Sequence, residues 1–400
     1  MNITTTGLFL CLLAFIVTTL VYPFVLSYAQ KKGIVDNPNA RKLQRVPVPV
    51  MGGVAVFLGI LISVLVSNIQ INDLTIWVGF VCMVIMLVIG AIDDIRDIPA
   101  TLRFIIETAL VYGMIVVADI GIDSLHGLWN VWEIPTSISL PLSIIAGVGV
   151  INATNLIDGV DGYASGYGIM SCSLFAVLAF FVGDVVMGRL ALVFVGSLVP
   201  FFLHNVFGLK SKMFIGDSGT LMMGTVMALF VFSILSKNSD CCVLEQKGLG
   251  LVPFTVAVMS IPVFDTLRVM GARIVRGTSP FHPDKTHLHH LFIEMGFSHI
   301  GTTLSILLLD FLIVAIWFIL WLLGASIDVQ FYIVLGLSLF TTFGFYRFMR
   351  IQQNRGPKDE DGYPMGTKIW RFFCFLGDKS HLERIGMWSF MRKLMDWDWK

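Results

Sequence analysis

Four groups of acids, amides and imidazoles stand at the ends of apolar stretches in this sequence. Asp93-Asp94-Ile95-Arg96-Asp97 closes one stretch, and Asn155-Leu156-Ile157-Asp158-Gly159-Val160-Asp161-Gly162 follows another. Gly216-Asp217-Ser218-Gly219 opens a third, and His287-Leu288-His289-His290 lies in a polar segment beyond a further one. Carboxylates are hard oxygen donors suited to a divalent cation. Imidazoles donate hydrogen bonds to phosphate oxygens, and Arg does so as a bidentate fork. The chemistry that needs both is phosphoryl transfer, which rests on positioning and on a cation that neutralises phosphate charge.

Each motif also has a plainer explanation. Adjacent Asp93 and Asp94 repel, and function uses that by binding Mg²⁺ or by raising one carboxyl until it acts as a base. The alternative is a solvated helix end, although Asp meets a helix C-terminus unfavourably. Asp158 and Asp161, three residues apart, face one way on a helical turn. Asn152 and Asn155 add amides there, and the glycines let a ligand approach the backbone; an ordinary turn is the competing explanation. Asp217 is either a helix N-cap or a metal ligand. Phe214 either stacks on a base or ring, or anchors the chain at a membrane interface. Four of the eight histidines fall between His282 and His290. Zinc is one reading of them, but no cysteine sits nearby, and Arg273, Arg276 and Lys285 favour phosphate. Arg41, Lys42 and Arg45 precede Gly52-Gly53, which opens an apolar run and would let a helix approach a bulky chain closely.

These motifs need elements that bring them together, and the composition says which. The 400 residues are 56% hydrophobic and 14% charged, against about 25% charged in soluble domains. The class is an all-α polytopic membrane protein; no alternation suggests a barrel. Formal net charge is zero, so nucleic acid is not an expected partner. A span needs roughly 20 apolar residues, and eleven are expected: Gly7–Ser27, Met51–Ser67, Ile76–Ile92, Phe104–Ala118, Ile138–Ile151, Gly166–Val182, Leu190–Leu203, Leu221–Ser236, Leu249–Leu267, Thr303–Leu323 and Phe331–Tyr346. The N-terminus lacks a basic n-region and its apolar run is of spanning length, so it is not read as a cleaved signal peptide. Cys11, Cys82, Cys172 and Cys374 pack as small hydrophobes; the adjacent pair Cys241-Cys242 receives no role.

Basic residues orient the chain. With the N-terminus outside, 24 of the 27 Lys and Arg face the cytoplasm, leaving Arg189, Lys237 and Lys247 on the other side. That orientation also places every motif above on the cytoplasmic face. Residues 1–350 form the transmembrane domain, with a cytoplasmic histidine loop over 268–301. The tail 351–400 mixes basic residues with Trp370, Trp388, Trp397 and Trp399, which suits a membrane-surface helix or a partner contact.

Acids for a divalent cation, bases for phosphate and a bilayer-surface site suit transfer between a soluble anionic donor and a lipid-borne acceptor. From about Lys31 to Phe292 the four motifs, in this order, resemble the bacterial polyprenyl-phosphate N-acetylhexosamine-1-phosphate transferases (glycosyltransferase family 4). The resemblance implies a ten- or eleven-helix fold in the bacterial inner membrane with a cytoplasmic cleft. It implies that polyprenyl (undecaprenyl) phosphate attacks the β-phosphate of a UDP-N-acetylhexosamine, giving polyprenyl-diphosphate-sugar and UMP with the anomeric bond intact. Mg²⁺ is the implied cofactor, with Mn²⁺ as a substitute. Asp93 and Asp94 correspond to the acidic pair that activates the lipid phosphate or lies near the metal. Asp217 corresponds to a metal ligand, and Asp161 stands where eukaryotic relatives carry a ligand Asn. Asp94 joins the metal set, and Asp158 and Asp161 join the catalytic one. Asn155, Asp158 and Phe214 match nucleotide-binding positions; His287, His289 and His290 match the loop that contacts the donor's diphosphate and sugar. Arg45, Asn152 and Arg276 complete the substrate-binding candidates. A homodimer is compatible with the family.

Two details choose the branch. The muramoyl-pentapeptide transferases of peptidoglycan synthesis carry Lys three residues after the acid pair, where this chain has Asp97. The form Ser279-Pro280-Phe281-x-Pro283-Asp284-x-x-His287-x-His289-His290 is similar to the N-acetylglucosamine branch. The Asn205–Phe214 spacing does not align with the family, which leaves a nucleotide contact by Asn205 open. A transporter is the rival from another class. Transporters hold ionisable groups near the midplane, whereas here only Glu107 and Asp310 fall inside apolar runs.

Overall fold

The structure is a computed structural model that describes residues 3–38, 46–66, 74–280, 284–355 and 387–396. Where no water reaches the backbone, each N–H and C=O needs a partner within the chain, and a helix supplies one locally. Long apolar segments here accordingly form helices: α1 (Ile3–Lys32), α2 (Gly52–Val66), α3 (Leu74–Ile95), α4 (Ala100–Ala118), α5 (Thr136–Leu156), α6 (Tyr163–Val182), α7 (Val185–Phe207) and α8 (Gly216–Leu235). There follow α9 (Leu251–Val258), α10 (Ser260–Val275), α11 (Leu288–Glu294), α12 (His299–Leu322), α13 (Ile327–Leu339), α14 (Tyr346–Arg355) and α15 (Met387–Met395). The chain is a multi-pass membrane protein.

Among the described residues nine helices are long and apolar enough to cross a bilayer, against the eleven spans expected. A tenth results if Asp240–Lys247 and Leu251–Val258, bent by 109°, count as one span. Most of each expected apolar run, where described, lies on helix; two of the runs fall short of a single long helix. Helix α2 is described over 15 residues, up to Val66, where the described segment ends. The run Leu249–Leu267 is divided at Met259 into α9 and α10. Pro262 has no N–H to offer the carbonyl four residues back. Buried Asp310 of α12 takes over the free start of α10, accepting from Ser260 Oγ and from Ile261 N (3.1 Å).

Helix α8 is the axis of the bundle. All of its residues except Asp217 and Ser233 are buried, as expected of a helix apolar on every side. It packs against α2, α3 and α5, while α7 packs against α1, α2 and α6. The first turn of this central helix therefore carries Asp217 to one end of the bundle. Gly53 is needed there: a β-carbon on it would lie 2.2 Å from the backbone N of Gly219. The close approach that Gly52-Gly53 allows is thus to α8 itself. Two short antiparallel strands, Val35–Asp36 and Val48–Pro49, pair Val35 with Pro49 and Asp36 with Val48. Pro49 O then accepts from Phe214 N (2.8 Å), and Gly52 N and Gly53 N donate to the carbonyls of Phe214 and Ile215. The α1–α2 connection is thereby laced to the segment entering α8. Arg45, His282, Cys374, Trp370, Trp397 and Trp399 lie outside the described residues.

Candidate active site

The end of the bundle where α3 and α5 finish and α8 begins gathers the motif residues. Asp94 Oδ1 accepts from Asp217 N (2.7 Å) and Oδ2 from Ser218 N (3.1 Å). A carboxylate thus caps the N-terminus of the central helix from a neighbouring one, where the helix dipole favours negative charge. Asp217 Oδ1 accepts from Asn155 Nδ2 (2.6 Å), which also reaches Thr220 Oγ1 (2.8 Å). The end of α5 and the start of α8 are held together by that amide.

Asp93 is held differently. Its carboxylate accepts from Ile98 N (2.7 Å) and pairs with Arg103 Nη1 at 3.1 Å. Arg103 Nε lies 3.5 Å from Glu107, one turn along α4, and Glu107 accepts from Asn152 Nδ2. Asn152 therefore points away from the cleft. It bonds one oxygen of Glu107, which is fully buried.

Residues 157–162 form a loop over the cleft. Asp158 is exposed to it. Crowding by the surrounding protein, then the charges of Asp217, Asp94 and Asp161, push its carboxyl above the ordinary range. Because Asp158 keeps an open face to water, the neighbouring charges sustain that shift more than burial does. Asp161 is the opposite case. Lys212 Nζ lies 2.6 Å from its carboxylate and His299 Nδ1 lies 3.0 Å away. Burial pushes the Asp161 carboxyl up, but His299 and Lys212 bring it below its ordinary value. Asn205 is buried and ties two loops together, accepting from Gly162 N (2.7 Å) and donating to Met213 O (2.9 Å). It is committed to those two backbone groups. Phe214 is half-buried with the Lys212 ammonium 5.6 Å from its ring centre.

The histidine segment forms the opposite wall. Asp265 on α10 accepts from Leu288 N (3.0 Å) and lies 3.0 Å from His287 Nδ1. Arg268, one turn on, pairs with Asp265 at 2.6 Å, reaches Thr286 O at 2.7 Å and stacks 3.8 Å from the centre of the Tyr346 ring. His287 and His289 are buried, with their rings parallel and 5.6 Å apart. His289 packs against Gly159, whose β-carbon would stand 2.2 Å from Nε2. That contact joins the histidine segment to the Asp158 loop. Burial and the neighbouring histidines depress the rings of His290, to about 4, and of His289, well below the ordinary imidazole value; each is neutral at physiological pH and carries one N–H. Arg276 is exposed and lies 3.9 Å from Asp284, which Arg273 holds at 2.8 Å.

The tail docks here too. Asp396, just past α15, accepts from Leu209 N, Lys210 N and Ser211 N at 3.0 Å each and from Ser211 Oγ at 3.1 Å. It fixes the loop that carries Lys212 and Phe214.

Residues 76–236 match the model of glycosyl transferase family 4. A Bacillus subtilis (strain 168) protein, named as a probable undecaprenyl-phosphate N-acetylglucosaminyl 1-phosphate transferase, is 33% identical over 307 residues, covering 75% of this chain and 82% of the relative. The chain belongs to glycosyl transferase family 4. Other similar members are undecaprenyl-phosphate alpha-N-acetylglucosaminyl 1-phosphate transferases. One from Escherichia coli (strain K12) is 29% identical over 71% of this chain and 76% of its own length. One from Yersinia pestis is 28% identical over 70% and 78%.

The carboxylates of this family-4 site sort by partner. Asp93 has Arg103, Asp161 has Lys212, Asp265 has Arg268 and Asp284 has Arg273. Among the described residues no Lys or Arg hydrogen-bonds Asp94, Asp158 or Asp217. The three feel one another's charge and are hard-oxygen donors of the kind Mg²⁺ takes, although among the described residues their oxygens do not all lie within 4.8 Å of one another. Arg103, Lys212, His299, Asp265 and Arg268 were not singled out as site residues. Asp265–Arg268 and Arg103–Glu107 had a readable signal, opposite-charge pairs at i,i+3 and i,i+4 on a helix.

Proposed function

We propose that this family-4 protein transfers N-acetylglucosamine-1-phosphate from UDP-N-acetylglucosamine to undecaprenyl phosphate and releases UMP, the first step of lipid-linked cell-surface glycan assembly. The observation that carries this reading is the trio Asp94, Asp158 and Asp217, which among the described residues has no Lys or Arg hydrogen-bonded to it, with His289 packed against Gly159 beside Asp158. The names of its relatives supply the lipid and the sugar phosphate. Asp217, Asp94 and Asp158 would hold Mg²⁺; Asp161, already paired with Lys212 and His299, holds the Lys212 loop instead. The ion, when bound, neutralises the donor's diphosphate and the charge that develops on departing UMP.

The lipid phosphate is ionised at neutral pH, so the residues need to align it rather than remove a proton. Its oxygen forms a bond to the β-phosphorus as the bridging bond to the α-phosphate breaks. The electron pair leaves with UMP, and the sugar–oxygen bond is untouched. His289 and His290, both neutral, donate N–H groups to the diphosphate. Phe214 stacks on the base, with Lys212 close to the same ring. Arg276, exposed at the cleft edge, meets the donor's charge, and Asp93 orients Arg103.

Orientation follows the basic residues: N-terminus outside, cleft at the cytoplasmic face of the bacterial inner membrane, with α2 and the α9–α10 pair completing eleven spans. The transporter alternative loses its motive, because Glu107 pairs with Arg103 and Asn152 while Asp310 caps α10. Purified protein in lipid nanodiscs with undecaprenyl phosphate and a panel of UDP-sugars tests the assignment. UMP release with UDP-N-acetylglucosamine is expected. Release only with the UDP-muramoyl-pentapeptide, or with no UDP-sugar, overturns it.

A further inference from the structure

At the end of the bundle away from the cleft, a histidine, a cysteine and a glutamate from two connections converge. The segment 119–135 between α4 and α5 is tightly folded, with Leu125 N donating to Trp132 O (2.8 Å) and Ile134 N to Asp123 O (3.0 Å). All four non-glycine residues with positive φ among those described fall within it: Asp119, His126, Trp129 and Asn130. Left-handed backbone at such residues persists only where the surroundings hold it, and His126 itself sits at φ 52°. Its ring is 1% exposed, and its Nε2 has no hydrogen-bond partner. The polar contacts of the ring lie on the Nδ1 side.

That side meets the short 3₁₀ helix Asp240–Lys247. With three residues per turn, positions i and i+3 eclipse, so Cys242 and Glu245 share the face turned to His126. His126 Nδ1 contacts Glu245 Oε1, and Cys242 Sγ lies 4.0 Å from Nδ1. The three donor atoms all lie within 4.8 Å of one another. Donors around tetrahedral zinc, at about 2.0–2.3 Å from the ion, stand roughly 3.3–3.8 Å apart; the set reaches that spacing when the thiol closes slightly and the tight His126–Glu245 contact opens to admit the ion. The Glu245 side chain is 10% exposed and Cys242 is half-buried, which leaves an open side for entry. Cys241 turns the other way and lines a neighbouring cavity of about 280 Å³ with Asp119 and Asp184.

We propose that His126, Cys242 and Glu245 bind one Zn²⁺, with the fourth position left to water. Imidazole, thiolate and carboxylate together suit zinc, and three protein ligands with one open position is a recurring zinc arrangement. A thiolate ligand disfavours Mg²⁺ and Ca²⁺, so this site and the carboxylate cleft would hold different ions. Bound metal would pin the α4–α5 connection to the segment after α8, on the face opposite the transfer site.

The test uses the full-length protein in detergent, stripped with chelator and then titrated with Zn²⁺ against a chromophoric competitor. Co²⁺ loading of parallel samples reads thiolate coordination directly as a ligand-to-metal charge-transfer band. One Zn²⁺ per chain and the charge-transfer band are expected. Cys242→Ser should remove the band and weaken Zn²⁺ by about 100-fold or more, whereas Cys241→Ser should keep both. Glu245→Gln and His126→Gln should each weaken Zn²⁺ while the protein stays monodisperse; Cys242→Ser, the smallest change, serves alone if His126→Gln fails to fold. Absence of stoichiometric Zn²⁺, absence of the band in the Co²⁺ protein, or equal behaviour of Cys241→Ser and Cys242→Ser would overturn the proposal.

Discussion

Replacing Gly159 by Ala tests the seam between the Asp158 loop and the histidine wall. The new methyl would stand 2.2 Å from His289 Nε2 and 2.9 Å from its Cδ2. Ordinary contact begins near 3.4 Å, so the ring has to withdraw by about 1.2 Å. It has little room, being 2% exposed with the His287 ring on one side and Tyr163 nearby. Overpacking of this kind costs about 1–3 kcal/mol, or about 5- to 160-fold if it falls on the donor-bound state. An ångström of misplacement in a reacting geometry is itself worth about 100-fold. The expected result is therefore a fall in kcat/KM for UDP-N-acetylglucosamine of about 10- to 100-fold, with normal membrane insertion. The assay is UMP release from nanodiscs over a range of donor concentrations. A second arm removes the ring: Gly159→Ala added to His289→Ala should do little more than His289→Ala alone, since the methyl then has space. Losses that add fully, or a Gly159→Ala enzyme as active as wild type, refute the packing on which the histidine wall rests.

Asp217→Asn should abolish UMP release while the protein still inserts, and EDTA should stop the wild type until Mg²⁺ or Mn²⁺ is returned; near-normal turnover of the variant removes Asp217 from the cation set. Asp158 has a folded-state value raised above 3.8, so the metal-free protein is most stable with that proton on and loses stability as pH rises through the raised value. Mg²⁺ competes with the proton, and its apparent affinity should climb with pH until Asp158 is ionised; Asp158→Asn should flatten the dependence in a Mg²⁺ titration. For Asp161 the sign reverses: its lowered value means that pairing stabilises the fold above the ordinary carboxylate range and is lost as pH falls through the lowered value. Lys212→Met should destabilise the protein by about 1–3 kcal/mol at pH 7 and shrink that acid limb in thermal melts. Asp396→Ala frees the amides of residues 209–211 and should raise KM for the donor more than it lowers kcat; unchanged donor kinetics disconnect the tail from the Lys212 loop.

What the sequence made legible was the local part of the site. Asp93-Asp94, the Asn155–Gly162 stretch, Asp217 and the histidines are short-range patterns beside apolar runs, and the structure brings Asp94, Asn155, Asp158 and Asp217 together. The partners that decide their charge are not local. Lys212 reaches Asp161 across 51 residues and His299 across 138, and neither sits in a periodic pattern that would announce the pairing. Asn152 looked like its neighbour Asn155, yet three residues along α5 turn it toward Glu107 rather than Asp217. The break inside one expected span was hidden for a similar reason. An apolar run shows burial, not continuity, and the break at Met259 depends on Asp310 arriving from another helix; Pro262 was the one local sign of it.

The division of the carboxylates explains why so polar a site can sit at the end of so apolar a bundle. Asp93, Asp161, Asp265 and Asp284 each meet a basic side chain, so they lock loops in place without leaving net charge. Asp94 is a partial exception: its oxygens are satisfied by two amides of the central helix, which stabilise an anion without cancelling it. That arrangement leaves Asp94 fixed, ionisable and close to Asp217 and Asp158, a set of like charges whose repulsion rises as each loses its proton. A divalent cation from solution would relieve that repulsion. In the family-4 reading that cation arrives with a diphosphate, so the energy stored by the unpaired acids becomes affinity for the metal–donor pair. The paired acids hold the segments around it in place.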